Sequence, residues 1–409
     1  MGCVLITGGQ LFNKGAQAML FTVINEIREQ NSDKEIVVLS SLDSRRTAED
    51  KGKYNFTIMP YNMRTKLALS GGIYSIVNKI YKPHSYQKHF KNEYAVLKNH
   101  FETANVLIDI SGYAFSSKWG FAKSFSYMLN IKICKRFKIP MYILPQSFGP
   151  FHYNKPLQAF FIKRLMKKYL TYPKAIYARE TEGYEELLKY SNKNLYKAFD
   201  IVIQNNSEIN LKNIYRENQL VELKNVVIET GAVGIIPNEK ILQYGDEEGI
   251  YRIYKFLTEQ LLTQKKTVYL FRHSAEDMYI CERIKANFVN EDKVILLTDE
   301  YNCIESKHIL QKFDFVIASR YHSIVHSYKA AVPAIVLGWA IKYAELLEAF
   351  SQEKYLFDIS GEINENAVRE ALNSMIANHY NESKKIEHTL KKVFTKNIFA
   401  DLLNEGIEK

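Results

Sequence analysis

The segment Ser319-Arg320-Tyr321-His322-Ser323 puts a guanidinium and an imidazole two residues apart, between the apolar run FVIA and a stretch with helical spacing. An anion brought there would meet both side chains and the open backbone N–H groups of a helix N-terminus together. An imidazole such as that of His322 suits proton transfer, while Arg320 suits a carboxylate or phosphate gripped through two parallel hydrogen bonds. A lone histidine is more often structural; the combined setting is what argues for chemistry. His326 lies four residues on and would share a helical face with His322. The pair does not form a zinc motif, because no Glu follows His322 and no third ligand is evident. No metal and no redox cofactor is expected.

Other loops carry groups of the same kind. Arg272 and His273 follow the run TVYLF, Arg179 follows IYA, and Lys342 follows AIVL through Gly338-Trp339-Ala340-Ile341. Tyr321 and Trp339 add aromatic surface beside them. In Leu144-Pro145-Gln146-Ser147-Phe148-Gly149-Pro150 two prolines and a glycine stiffen a loop that is expected to point Gln146 and Ser147 outward. Near the start, Gly8-Gly9 leads through Asn13, Lys14, Gly15 and Gln17 into an amphipathic helix, where small residues leave room for a substrate. This loop is neither GxGxxG nor a P-loop. Plainer readings stand beside these: a turn into a packed helix for the glycine loop, an ion pair for Arg179, a capped structural imidazole for His273.

Such groups need strands that end where the chemistry is. Short apolar runs alternate with amphipathic stretches, which predicts parallel sheets covered by helices. The strands expected are 3–7, 36–40, 106–110, 141–144 and 176–178, then 226–230, 267–271, 294–297, 315–318 and 334–337. At 409 residues the chain exceeds one ordinary core. The polar stretch 204–218 reads as a linker, so two doubly wound Rossmann-like α/β domains facing a cleft are expected, over 1–205 and 219–360. Residues 361–409 read as helices packing across them. Ligands of such sheets sit beyond the carboxyl ends of the strands, where the loops above are placed.

Composition narrows the classes. The first apolar run, Cys3 to Thr7, is too short for a signal peptide or a membrane span, which predicts a cytoplasmic protein. Four scattered cysteines without a CxxC pair predict reduced, structural thiols. Net charge is +10, yet residues 51–200 alone hold 25 Lys+Arg against 8 Asp+Glu, an excess of 17. Such asymmetry reads either as a surface that meets an anionic partner or as a solvated basic face, and no nucleic-acid module is recognisable. The stretch Lys155–Leu170 mixes Phe160, Phe161, Leu165 and Met166 with Lys163, Arg164, Lys167 and Lys168. Either it covers the sheet with its apolar side chains inward, or it lies in the headgroups of an anionic membrane surface. Tyr74–Tyr94, also aromatic and basic, could extend that surface.

In order, NKGAQAML, LPQSFGPF, YARE, FRHSAED and SRYHSIVHSYKAAVPAIVL resemble the polysaccharide pyruvyltransferases, across residues 13 to about 345. The resemblance implies a fold similar to B-type glycosyltransferases, with an acceptor side in the first domain and a donor side in the second. It further implies phosphoenolpyruvate as donor and a sugar acceptor, lipid-linked or free, at the inner face of a membrane or in solution. The family's Arg and His at the donor correspond to Arg320 and His322, and its Arg after the fifth strand to Arg179. The chain departs from the family at Gln17, where an acidic residue is frequent, and at Glu229-Thr230-Gly231, where a strand commonly ends in Asn-Pro. Two rival readings share the scaffold: a glycosyltransferase using a nucleotide sugar, and a non-catalytic sugar-binding scaffold of polysaccharide assembly.

Overall fold

The computed structural model describes residues 2–31, 33–72, 87–219, 222–395, 398–400 and 402. The chain divides into two compact units. One comprises Met1–Leu11, Met19–Val221 and Asn397–Lys409, and the other Phe12–Ala18 with Glu222–Lys396.

The first unit is a parallel sheet of β1 (Cys3–Thr7), β2 (Glu35–Leu39), β3 (Thr57–Met59), β4 (Ala104–Asp109), β5 (Met141–Gln146), β6 (Ala175–Ala178) and β7 (Leu195–Lys197). Its order is β3-β2-β1-β4-β5-β6-β7, so the winding reverses between β1 and β4. Helices on both faces explain why the inner strands read as unbroken apolar runs, with all five residues of β1 buried.

The second unit has β8 (Val233–Ile236), β9 (Val268–Phe271), β10 (Val294–Leu297), β11 (Phe315–Ala318), β12 (Ala334–Gly338) and β13 (Leu356–Asp358), again all parallel. The order β10-β9-β8-β11-β12-β13 reverses between β8 and β11. The expected doubly wound α/β class is therefore present in both units.

Two expectations are corrected. The strand expected at 226–230 is not one: that stretch is irregular, with Val227 83% exposed, and the sheet instead takes Val233–Ile236, all buried. β8 was hidden by Gly234, which is needed because a Cβ there would lie 2.6 Å from the Phe313 ring. The opening strand thus runs into Pro237-Asn238, and Glu229–Gly231 is not its end. Residues 204–218 are not a linker either. Asn25 holds this segment through Glu208 O, Asn210 N and Asn213 Nδ2, and Asn55 N bonds Ile214 O, so the boundary falls near 221. In the C-terminal region the helix Glu365–Val393 sends Val368, Leu372 and Met375 into the core of the second unit, and Asn397–Lys409 groups with the first unit.

All four cysteines are buried free thiols, and burial pushes each one's pKa upward, that of Cys3 to about 11. Among the described residues no helix is long and apolar enough to cross a membrane.

Candidate functional site

In the second unit the reversal between β8 and β11 brings two loops together, Pro237-Asn238-Glu239 after β8 and Ser319-Arg320 after β11. This is the place where open α/β sheets take ligands. Ser319 is held from three directions. Asn238 Nδ2 donates to its carbonyl at 3.2 Å, Tyr343 Oη donates to the same oxygen at 3.0 Å, and Tyr254 Oη lies 3.0 Å from its hydroxyl. The backbone that carries Arg320 is therefore fixed before any ligand arrives.

Arg320 heads the helix Tyr321–Lys329 and grips Asp277 in bidentate fashion, Nε to Oδ2 at 2.8 Å and Nη2 to Oδ1 at 2.5 Å, with Nη2 also donating to Glu276 Oε1 at 2.7 Å. Asp277 is fully buried and also accepts from the backbone N–H of Glu239 and of Ser274. Burial pushes its carboxyl up, against the opposing pull of the guanidinium and these N–H groups. The sequence suggested an open guanidinium. Two of its three nitrogens are instead bound to carboxylates, which leaves Nη1 for a ligand.

His322 lies one residue into the helix, edge-on to Tyr321. It packs on Gly15, where a Cβ would stand 2.2 Å from its Nδ1, so only glycine admits the ring there. One turn along is His326, with its ring 6.2 Å from that of His273, which follows β9. His273 is 2% exposed, and among the described residues neither of its ring nitrogens has a hydrogen-bond partner. Burial, then the charge of Lys14, holds its pKa well below the usual histidine range.

The turn Phe12–Ala18 groups with these residues. Lys14 Nζ donates to Arg272 O at 2.8 Å and sits 5.0 Å above the Phe271 ring; burial, then Arg272, lowers its pKa to about 8. Asn13 caps the helix Lys14–Gln30 by accepting from Ala16 N, and Gln17 Oε1 accepts from Cys303 N at 2.8 Å. Both are thus held by protein rather than presented to a ligand. The Arg272 side chain reaches Thr298 O at 3.5 Å. Beyond β12, Lys342 lies over the Tyr321 ring at 5.0 Å, and Trp339 stacks on Tyr244 at 5.1 Å.

In the first unit the three expected residues face inward, against the outward placement the loop suggested. Gln146 is fully buried, its Nε2 donating to Asp109 Oδ1 at 3.2 Å. Arg179 pairs with Asp200 at 2.5 Å and donates to Gly112 O at 3.0 Å and to Ser147 Oγ at 2.8 Å, and the Ser147 hydroxyl in turn donates to Glu180 Oε1 at 2.8 Å. With its side chain 3% exposed, Arg179 clamps three loops together and does not present its charge to solvent. The rigid loop turns inward because Asp109 and Asp200 supply buried acceptors.

Sequence reasoning missed Asp277, Asn238, Asp109 and Asp200. Asp109 carried a signal, as an acidic end to the apolar run VLIDI. Asp277, buried three residues after Ser274 in FRHSAED, carried none that distinguished it from Glu276. Among the described residues, the His, Cys, Asp and Glu atoms close enough to share a metal ion are those of Cys3, Glu35 and His100. They lie at the amino ends of β1 and β2, remote along the strands from the loops above.

The family model described as polysaccharide pyruvyl transferase matches residues 13–340. No curated protein matches the chain. Solved structures match its fold. A UDP-GlcNAc 2-epimerase from Methanocaldococcus jannaschii is 12% identical, with TM-score 0.55 and coverage of 97% of this chain and 100% of that one. UDP-GlcNAc 2-epimerase from Neisseria meningitidis bound to UDP-GlcNAc is 14% identical at TM-score 0.52, covering 96% and 100%. A glycotransferase of kitacinnamycin is 11% identical at TM-score 0.57, covering 99% of each chain.

Proposed function

Because the chain belongs to the polysaccharide pyruvyl transferase family, we propose that it moves the enolpyruvyl group of phosphoenolpyruvate onto a sugar of a polysaccharide precursor. The observation that carries this reading is the basic cluster of Arg320, His322 and Lys14 at the reversal point of the second sheet, held rigid by Asp277 and Ser319. A preorganised cationic site of this kind suits a donor with two anionic groups.

The chemistry closes without any other reagent. An acid, assigned to His322, protonates the methylene carbon of the donor while cations hold its carboxylate and phosphate. One sugar hydroxyl adds to the central carbon and gives up its proton to the imidazole, which restores the acid. A second hydroxyl then displaces phosphate, passing its proton to the leaving group, and the two C–O bonds form a cyclic ketal. Arg179, buried against Asp200, serves as a positioning residue for the first-unit loops. The acceptor is a sugar bearing two hydroxyls at ketal spacing, and we place the enzyme in the cytosol, at an anionic membrane face.

That placement is supported by the helix Pro156–Tyr169. It buries Ile162, Met166 and Tyr169 but exposes Leu157 (82%) and Phe160 (66%) beside Lys163, Arg164, Lys167 and Lys168. Phe161 packs against Phe121 and Phe125, so neither of the two readings of this segment describes all its aromatics. Of the stretch Tyr74–Tyr94, residues 74–86 lie outside the described residues, as do the side chains of 87–91.

The test is phosphate release from phosphoenolpyruvate with a panel of lipid-linked and simple glycosides. A second reading, use of a nucleotide sugar, is favoured by the stacked Tyr244–Trp339 surface and by neighbours solved with UDP-GlcNAc. Thermal shift separates the two: phosphoenolpyruvate should raise the melting temperature with concentration, and a UDP- or GDP-sugar less. Stabilisation by the nucleotide sugar alone would transfer the assignment to that second reading.

A further inference from the structure

His273 is a buried imidazole with no hydrogen-bond partner at either nitrogen among the described residues. A polar group in that condition normally costs stability, and it persists only where something else answers it. The charged groups facing it are basic: Lys14 from the first turn of its helix, Arg320 and His322 at the head of the helix Tyr321–Lys329, and His326 one turn along. The carboxylates of its own loop, Glu276 and Asp277, are bound to Arg320. Glu300 acts on Lys14 from the loop after β10.

The ring lies 6.2 Å from that of His326, and burial together with the field of these four basic groups keeps it neutral. A dianion entering beside Lys14, His322 and Arg320 Nη1 reverses the local field, and the imidazolium then becomes the favoured form. Resting on the donor reading above, we infer that this pocket takes up its phosphate-type dianion together with a proton, and that His273 is the group that receives it. The proton comes from solvent and returns there when phosphate leaves. His273 acts through the bound anion, as a positioning residue, and does not touch the reacting carbon. Linkage sets the reciprocal effect: affinity for the dianion falls as pH rises, by up to about tenfold per pH unit for one proton taken up.

Sulfate is the probe, because it stays a dianion across the range and cannot itself supply the titration. Calorimetry of sulfate binding to the full chain near pH 7, in buffers of low and high ionisation enthalpy, counts the protons taken up. The expected result is uptake approaching one proton in the wild type, lost in His273→Gln and kept in His322→Gln. If His273→Gln fails to fold, wild-type chain labelled with 15N in its histidine rings reads the same event, as one neutral ring converting to imidazolium on sulfate addition. Sulfate binding without uptake, or uptake that survives His273→Gln, overturns the inference and leaves the donor reading intact. So does binding of phosphoenolpyruvate but not sulfate. Failure of both anions to bind removes the donor reading as well.

Discussion

Arg320 and Asp277 form a two-point pair, Nε to Oδ2 and Nη2 to Oδ1, in which the carboxylate is fully buried and the guanidinium side chain is 11% exposed. Breaking such a pair from one side leaves a buried charge without its partner, at about 3–5 kcal/mol. Asp277→Ala should therefore lower stability by that order in urea unfolding and weaken phosphoenolpyruvate binding. Arg320→Lys should fare little better, because an ammonium cannot reproduce the planar fork. A normal unfolding midpoint in Asp277→Ala would show that the pair does not brace the site.

His322 and Arg320 should separate chemistry from binding. His322→Ala is expected to lose roughly two or more orders of magnitude in turnover while still binding the donor, whereas Arg320→Ala loses binding too. Gly15→Ala should resemble His322→Ala, since its methyl would stand 2.2 Å from His322 Nδ1 and displace the ring. Near-normal turnover in His322→Ala would move the acid elsewhere, with His273 examined first.

Lys14 gives a pH signature. Its folded pKa, lowered to about 8, lies below the unfolded value of 10.5. Below pH 8 both states carry the proton and the folded state bears the whole burial penalty, on the order of 3 kcal/mol. Between about 8 and 10.5 the folded state sheds its proton first, so stability contributed by this residue rises with pH. Lys14→Met should raise the melting temperature at pH 7, offset in part by leaving Arg272 O without its donor. The gap from wild type should narrow as pH rises through that window, while anion affinity is weaker in the variant. An equal gap at pH 7 and pH 10 would contradict this account.

The helix Pro156–Tyr169 predicts association with vesicles that grows with anionic lipid and fades as salt shortens the Debye length. Each cation contributes about 1 kcal/mol near such a surface, so reversing Lys163 and Lys167 to Glu should cost much of the binding. Phe160→Ser tests the apolar part, since that ring is 66% exposed. No co-sedimentation at low salt with strongly anionic vesicles would leave an enzyme that meets its acceptor in solution.

Most strands were legible because parallel strands covered on both faces are apolar throughout, and the loops after them could be found by rule. What escaped notice depended on partners far along the chain. Val226–Thr230 looks more strand-like than Val233–Ile236, yet only the latter finds β11 and β9 as neighbours. Residues 204–218 are polar like a linker, and they pack because Asn25 happens to offer matching amide groups. Arg320 stood out in the sequence, but Asp277, 43 residues upstream, decides how much of it a ligand can reach. The inward turn of Gln146 and Arg179 likewise follows from Asp109 and Asp200, which no local spacing links to them.

The four buried cysteines leave the surface without a native nucleophile of that kind. A thiol reacts as its thiolate, and burial both blocks access and suppresses ionisation at each of these positions. A single cysteine placed at an exposed site, such as Val289→Cys where the side chain is 73% exposed, would thus take a maleimide dye or spin label selectively. Distance and mobility measurements can be made on the otherwise unaltered chain, and slow alkylation of the native thiols becomes a clock for its opening.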